Sequence, residues 1–277
     1  MSIARLMQMA RAGVPAGGGV VEGWDVSTAV FVQRFSVAAR EATPTGVFFK
    51  PDGLKMYVIG HNNDRVNEYT LSTAWNISTA VFAQRFSVAA QEAVPHGIFF
   101  KPDGLKMYVS GYGSDSVNEY NLSTAWNIST AVFVQSKSVI AQDTASTSVF
   151  FRPDGIKMYV IGYGSDNVNE YTLSTAWNVS TAVFAQSFSV AAQEGVPIGL
   201  FFKPDGLKMY VTGVLGDDVN EYTLSTAWNI STSVYLQSFS VAAQETTPTG
   251  VFFKPDGLKM YVAGIVGQDV NEYDLTT

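Results

Sequence analysis

From residue 23 onward the chain is a succession of short apolar runs broken by turn residues, and none of these runs keeps the i, i+3, i+4 spacing of a helix. One stretch shows the unit. Gly46–Lys50 (GVFFK) runs into the turn Pro51-Asp52-Gly53, where Pro presets φ and Gly supplies the permissive backbone. Lys55–Ile59 (KMYVI), Val66–Leu71 (VNEYTL) and Val81–Val88 (VFAQRFSV) follow, the last after a Ser72–Ser78 corner. Rich in Val, Phe, Tyr and Thr, these segments predict four strands.

The unit then repeats. Pro-Asp-Gly recurs at Pro51, Pro102, Pro153, Pro204 and Pro255, and Trp24, Trp75, Trp126, Trp177 and Trp228 keep the same 51-residue spacing. A period of this size, with four strands and no helix inside it, predicts an all-β, five-bladed β-propeller of four-stranded antiparallel blades. The repeats divide unevenly at the ends, so residues 29–38 are expected to supply the outer strand of the fifth blade, whose other strands lie at the C-terminus. That pairing hides two sheet edges. The expected organisation is therefore a propeller over residues 23–277 preceded by an arm, residues 1–22.

Ile3, Leu6, Met7 and Ala10 fall at helical spacing with Arg5 and Arg11 off the stripe, predicting a short amphipathic helix over Ser2–Ala12. Gly13 to Gly19 then reads as a tether. Two readings stand side by side: a frayed tail, or a docking peptide that buries Ile3, Leu6 and Met7 on a partner. The arm lacks the continuous apolar core of a signal peptide and is too short to span a bilayer.

With 277 residues, 47% of them hydrophobic, the chain can bury a single large core. Net charge is −7 and the 17 basic residues are dispersed through the repeats, which disfavours nucleic-acid binding. The absence of cysteine excludes disulfides and thiolate metal sites.

Comparison of the five copies separates a constant face from a variable one. The Pro-Asp-Gly turns and the Leu-Ser-Thr-Ala-Trp-Asn corners barely change, whereas the loops after the second strand read HNNDR, YGSDS, YGSDN, VLGDD and IVGQD. Thr45, His96, Thr147, Ile198 and Thr249 vary at a second equivalent place, assigned to the loops between blades. His61, Arg65, His96, Tyr112, Tyr163, Ile198, Val214, Leu215, Ile265 and Val266 are thus candidate partner-binding residues. Relaxed constraint on loops is the plain account of this variation, and a contact patch built on apolar loop tips is the other. Lys137, which replaces the Phe of the other outer strands, reads as solvent-facing or as a subunit contact, and beside it Ser146-Thr147-Ser148 departs from the Pro-x-Gly pattern.

Catalysis has no evident foothold. The first strand of each repeat carries no acid, and glycoside cleavage needs two. His61 and His96, the only histidines, read as surface loop residues. Asp64, Asp115, Asp166 and Asp217 read as turn formers whose side chains bond the backbone, since no loop has the oxygen density of a calcium site. No metal or cofactor is expected. Asn76 and its copies read as caps of the corner.

FFKPDGLKMYVIG and its copies resemble the Pro-Asp-Gly…Tyr-Val repeats of the YVTN-type propellers. The whole repeat, with WNISTAVF and FSVAAQE, resembles propellers of virion and tail-associated proteins of marine bacteriophages and of some bacterial surface proteins, and MSIARLMQMARAG resembles the N-terminus of phage structural proteins. The resemblance implies a non-enzymatic virion protein, structural, decorative or tail-associated, held in the particle by other capsid or tail proteins through Ile3, Leu6, Met7 and Ala10. The alternative is a lectin-like propeller that binds host-surface glycan. A lactonase-like or glycosidase propeller is the third and least favoured reading.

Overall fold

The computed structural model describes residues 23–276. It opens with β1 (Ala29–Ser36), and the first blade follows as β2 (Pro44–Phe49), β3 (Lys55–Gly60), β4 (Arg65–Leu71) and β5 (Ala80–Ser87). The same four strands recur as β6–β9 over residues 95–138, β10–β13 over 146–189 and β14–β17 over 197–240, and β18–β20 occupy 248–275. Five antiparallel sheets result, and the fifth has the order β1-β20-β19-β18. The expected architecture is thus realised, with strand ends within two residues of those read from the sequence. The predicted arm, including Ile3, Leu6, Met7 and Ala10, lies outside the described residues.

The constant residues of the repeat build one device. Trp75 has a left-handed backbone (φ 65°) and lays its indole on Gly53, whose φ is 73° and where a Cβ would stand 2.4 Å from the indole nitrogen. Gly is therefore required twice at that turn, for its dihedral and for its missing side chain. Asn76 next caps a 3-10 turn, Ile77–Thr79, accepting from Ser78 N–H at 3.1 Å, the role expected of it.

Each blade locks onto the corner of the next. Buried Glu68 on β4 takes Lys55 Nζ at 2.6 Å and Gln84 Nε2 at 2.8 Å. The same Gln84 amide donates to Asn127 Oδ1 of the second blade at 2.7 Å, while Lys55 Nζ and Tyr57 Oη donate to Trp126 O at 2.7 and 2.8 Å. Glu119 with Lys106, Glu170 with Lys157, Glu221 with Lys208 and Glu272 with Lys259 repeat the pair. One carboxylate in each blade thus gathers donors from its own blade while its neighbours reach across. On the outer rim Phe35 meets Tyr69 edge-on at 5.6 Å and Phe86 meets Tyr120 at 5.7 Å. Lys137 takes this place in the second blade and is half-buried, so it does not simply face solvent.

The ring closes through its N-terminal strand. β1 pairs with β20 from Ala29↔Leu275 to Ser36↔Asp269, and Trp24 and Asp25 serve as the corner of the fifth blade. Tyr210 Oη and Lys208 Nζ donate to Trp24 O at 2.7 and 2.9 Å, and Gln237 Nε2 donates to Asp25 Oδ1 at 2.7 Å. Gln33 in turn carries the fifth blade to the first, bonding Glu272 at 2.7 Å and Asn76 at 2.9 Å. A chain beginning at Ala38 loses all of these contacts and leaves β20 as an open edge. It is expected to melt at least about 10 °C below a chain beginning at Gly23, or not to fold. Equal melting temperatures by circular dichroism would refute closure by β1.

Candidate functional site at the mouth of the central channel

The inner strands leave little space along the axis. Phe48, Phe99, Phe150, Phe201 and Phe252 meet in a closed edge-to-face ring with centroids 5.1–5.5 Å apart. Above it Gly46, Gly97, Ser148, Gly199 and Gly250 let the strands converge: a Cβ on Gly46 would stand 2.5 Å from His96 O. The remaining cavity is about 30 Å³, room for about one water. Anything larger than water can therefore reach the axis only at the mouth, on the variable face.

The mouth begins with hydroxyl stitches between blades. Thr45, Thr147 and Thr249 donate to Pro95 O, Pro197 O and Pro44 O of the following blade at 3.1, 3.2 and 2.9 Å. At the other two junctions Ser110 and Thr212 on the second strand take over, donating to Thr147 O and Thr249 O at 2.8 and 2.7 Å. Positions 96 and 198 are thereby released from stitching. His96 and Ile198 fill them.

His96 is 5% exposed, on β6 rather than in a surface loop, which corrects its reading from the sequence. All five residues of its set are the second residue of an inner strand, not part of an interblade loop. His96 Nδ1 lies 3.1 Å from Val94 O. A carbonyl only accepts, so Nδ1 carries the proton and Nε2 keeps a free lone pair. Burial pushes the imidazole pKa down from 6.5 to about 4. The His61 ring stacks on His96 at 5.3 Å, Tyr112 lies against it at 4.9 Å, and Tyr163 meets Tyr112 edge-on at 5.8 Å. Burial, then the neighbouring Tyr112, raises the Tyr163 phenol pKa.

The loops that present these rings are held from beneath. Glu92 accepts from Ser114 N–H at 3.2 Å and Ser114 Oγ at 2.6 Å, fixing the Tyr112 loop, and from Val94 N–H at 2.9 Å beside the carbonyl that orients His96. Glu41, Asp143, Glu194 and Glu245 cap the other four loops, binding the N–H groups of Asn62, Gly164, Leu215 and Val266 at 3.1–3.2 Å. Sequence reading missed this set; an acid three residues before each inner strand, in every FSVAAQE copy or its equivalent, was the available signal. Ser146, standing where the other blades have Pro, gives its N–H to Asp115 Oδ1 at 3.3 Å and its hydroxyl to Gly111 O at 3.1 Å, tying the third blade to the Tyr112 loop.

The recurring loop aspartates act through their main chain. Asp64, Asp115, Asp166 and Asp217 have φ between 45° and 53°, as does Gln268 in the fifth copy, and Asp64 Oδ1 and Asp166 Oδ1 bond nothing. At Asp64 and Asp166 the expected side-chain bond to the backbone is thus replaced by tolerance of the left-handed region, whereas Asp115 keeps one, to Ser146 N–H of the next blade. By the repeat, Val214 and Ile265 take the places of His61, Tyr112 and Tyr163 on the last two blades, and both are half-buried. Leu215 and Val266 project from the tips, 70% and 65% exposed. Arg65 is half-buried at the start of β4. Among the described residues no group of three or more His, Cys, Asp or Glu gathers into a metal-sized cluster.

Residues 16–269 match the family described as "Lactonase, 7-bladed beta-propeller". The chain belongs to this lactonase propeller family. Among solved structures, a Bacteroides uniformis protein provisionally described as a 6-phosphogluconolactonase is 15% identical over 82% of this chain and 65% of its own, with a TM-score of 0.51. The Cps50 (Swd1) β-propeller domain of Myceliophteria thermophila is 9% identical over 90% of this chain and 100% of its own, also at 0.51. The first structures found are spanned for only 55–65% of their length. No curated protein matches the sequence. The likeness to solved structures carries the fold alone, and this lactonase-family chain has five blades where the family's description names seven.

Membership of the family corrects the virion resemblance. The capsid or tail partners, the glycan-binding alternative and the exclusion of catalysis fall with it. The physical reason is that the residues behind the resemblance, Gly53, Trp75 and Asn76 with their copies, are packing devices of the blades.

His96 ties the stability of the lactonase propeller to pH. Its folded pKa, about 4, lies below the unfolded 6.5, so the unfolded chain binds the extra proton first. This contribution is fully present above about pH 6.5 and is lost as pH falls toward 4. His96→Thr, which copies the residue at three equivalent places, is expected to fold and to show a flatter loss of melting temperature between pH 6.5 and 4 than the wild type. Parallel curves would show that His96 does not titrate as a buried group.

Proposed function

We propose that the chain hydrolyses a lactone at the channel mouth, with His96 as proton acceptor and donor and Tyr112 as hydrogen-bond donor to the carbonyl. The observation that carries this reading is an oriented imidazole held between His61 and Tyr112 at the channel mouth, within a family of lactonases. His96 Nε2 takes a proton from water as its oxygen attacks the ring carbonyl carbon. Tyr112 Oη donates to the oxyanion that forms. When the ring C–O bond breaks, the imidazolium returns the proton to the leaving alkoxide, and a hydroxy acid results.

A base whose pKa is about 4 is a weak acceptor, and its conjugate acid is a strong donor. That balance suits a strained ring ester, whose carbonyl is already reactive and whose leaving alkoxide needs the proton. It does not suit an amide. His61, stacked on His96, shields the other face of the ring from water.

The test is hydrolysis of δ-gluconolactone at pH 4–7, corrected for the spontaneous reaction. The expected kcat/KM is level from pH 7 to about 5 and falls below that as His96 becomes protonated near pH 4. His96→Thr should lower it by about a hundredfold or more, with far-UV circular dichroism unchanged. Equal rates for the two proteins would overturn the assignment.

A further inference from the structure

The mouth is not uniform around its axis. Blades one to three present His61, His96, Tyr112 and Tyr163, whereas at the equivalent places blades four and five carry Ile198, Val214 and Ile265, with Thr249 the one hydroxyl. Leu215 and Val266 stand 70% and 65% exposed on loops whose main chain is fixed from below, since Glu194 accepts from the N–H groups of Leu215 and Gly216, and Glu245 from those of Val266 and Gly267. Exposed aliphatic groups on fixed loops form a prearranged apolar surface, which lowers the ordering cost of a ligand that covers it. The same carboxylates put negative charge directly beneath that surface, and no Lys or Arg lines the channel. The one arginine beside the blade-five loop, Arg34, is already paired with Asp269 at 3.9 Å, and a phosphate group would meet two acids behind the loops.

We infer that the substrate is a lactone bearing an unbranched hydrocarbon chain, whose ring lies against His96 and Tyr112 and whose chain lies across Val214, Leu215, Ile265 and Val266. The assignment of the ring end rests on the proposed lactone hydrolysis; the contact of the chain with the aliphatic sector does not. Val214 and Ile265 are half-buried at the base of these loops, and Leu215 and Val266 are exposed at their tips.

The test is a series of δ-lactones carrying a methyl, butyl or octyl group on the carbon that bears the ring oxygen, with 6-phosphogluconolactone as the charged competitor. For the wild type, kcat/KM is expected to rise by about twofold per methylene, because a chain on an open surface buries about half of each group. The phosphorylated lactone should be the poorest substrate. In Leu215→Asp and Val266→Asp, both surface changes that leave folding intact, the octyl-to-methyl ratio should fall toward one. A flat series in the wild type, or preference for the phosphorylated ring, would overturn the inference while leaving lactone hydrolysis standing. If no lactone is hydrolysed, the proposed reaction fails and calorimetry with the corresponding δ-lactams decides the contact alone. Tighter binding of the octyl than of the methyl lactam, lost in Leu215→Asp, supports it; equal affinities overturn it.

Discussion

Five buried carboxylates determine how this molecule meets itself. A carboxylate removed from water is costly unless every oxygen finds a donor. Glu68 meets that demand with Lys55, Gln84 and the Ile128 N–H, the last of which lies on the following blade. Lys55 and Gln84 are shared in the same way, since each also bonds the next corner. In four of the five blades the acid also accepts an N–H from the following corner, so those blades are complete only in company. One interface repeated between successive copies defines one rotation, and five such rotations return the chain to its start.

That closure fixes where chemistry can take place. Five inner strands brought this close press their phenylalanines together and leave about 30 Å³ on the axis. Seven blades would enclose a wider channel. Reactive groups are consequently displaced to the rim, where the second set of acids, Glu41 to Glu245, holds each loop by its N–H groups. Construction and recognition are separated along the axis: the Trp-Gly corners at one end are nearly invariant, while the loops at the other are free to differ. His96 belongs to both parts, a residue of an inner strand that reaches the mouth.

The strands, the period and the borrowed outer strand of the fifth blade could all be read from the sequence, because turn chemistry and β-propensity act locally and five copies corroborate one another. The site was less legible. Nothing local distinguishes His96 from Thr45; its release from the interblade bond follows from Ser110, fourteen residues away on β7, making that bond instead. Paired comparison of positions 45 with 59 and 96 with 110 carried that information. The family was not legible either, since Trp75, Gly53 and Asn76 describe how a blade packs and are silent on what its rim does. Their phrases led to particle proteins, and the family match led elsewhere.

The hydroxyl stitches carry a consequence of number. Going round the ring, the donor is an inner-strand Thr at Thr45, a second-strand hydroxyl at Ser110, then Thr147, Thr212 and Thr249, so the two kinds alternate. An alternating pattern cannot return to itself in an odd-membered ring. Thr249 and Thr45 therefore stand in succession, and this single phase slip falls between the fifth and first blades, the same place where β1 completes the ring. Parity thus marks one junction as unlike the other four, and in a molecule built from near-identical parts it supplies a natural seam.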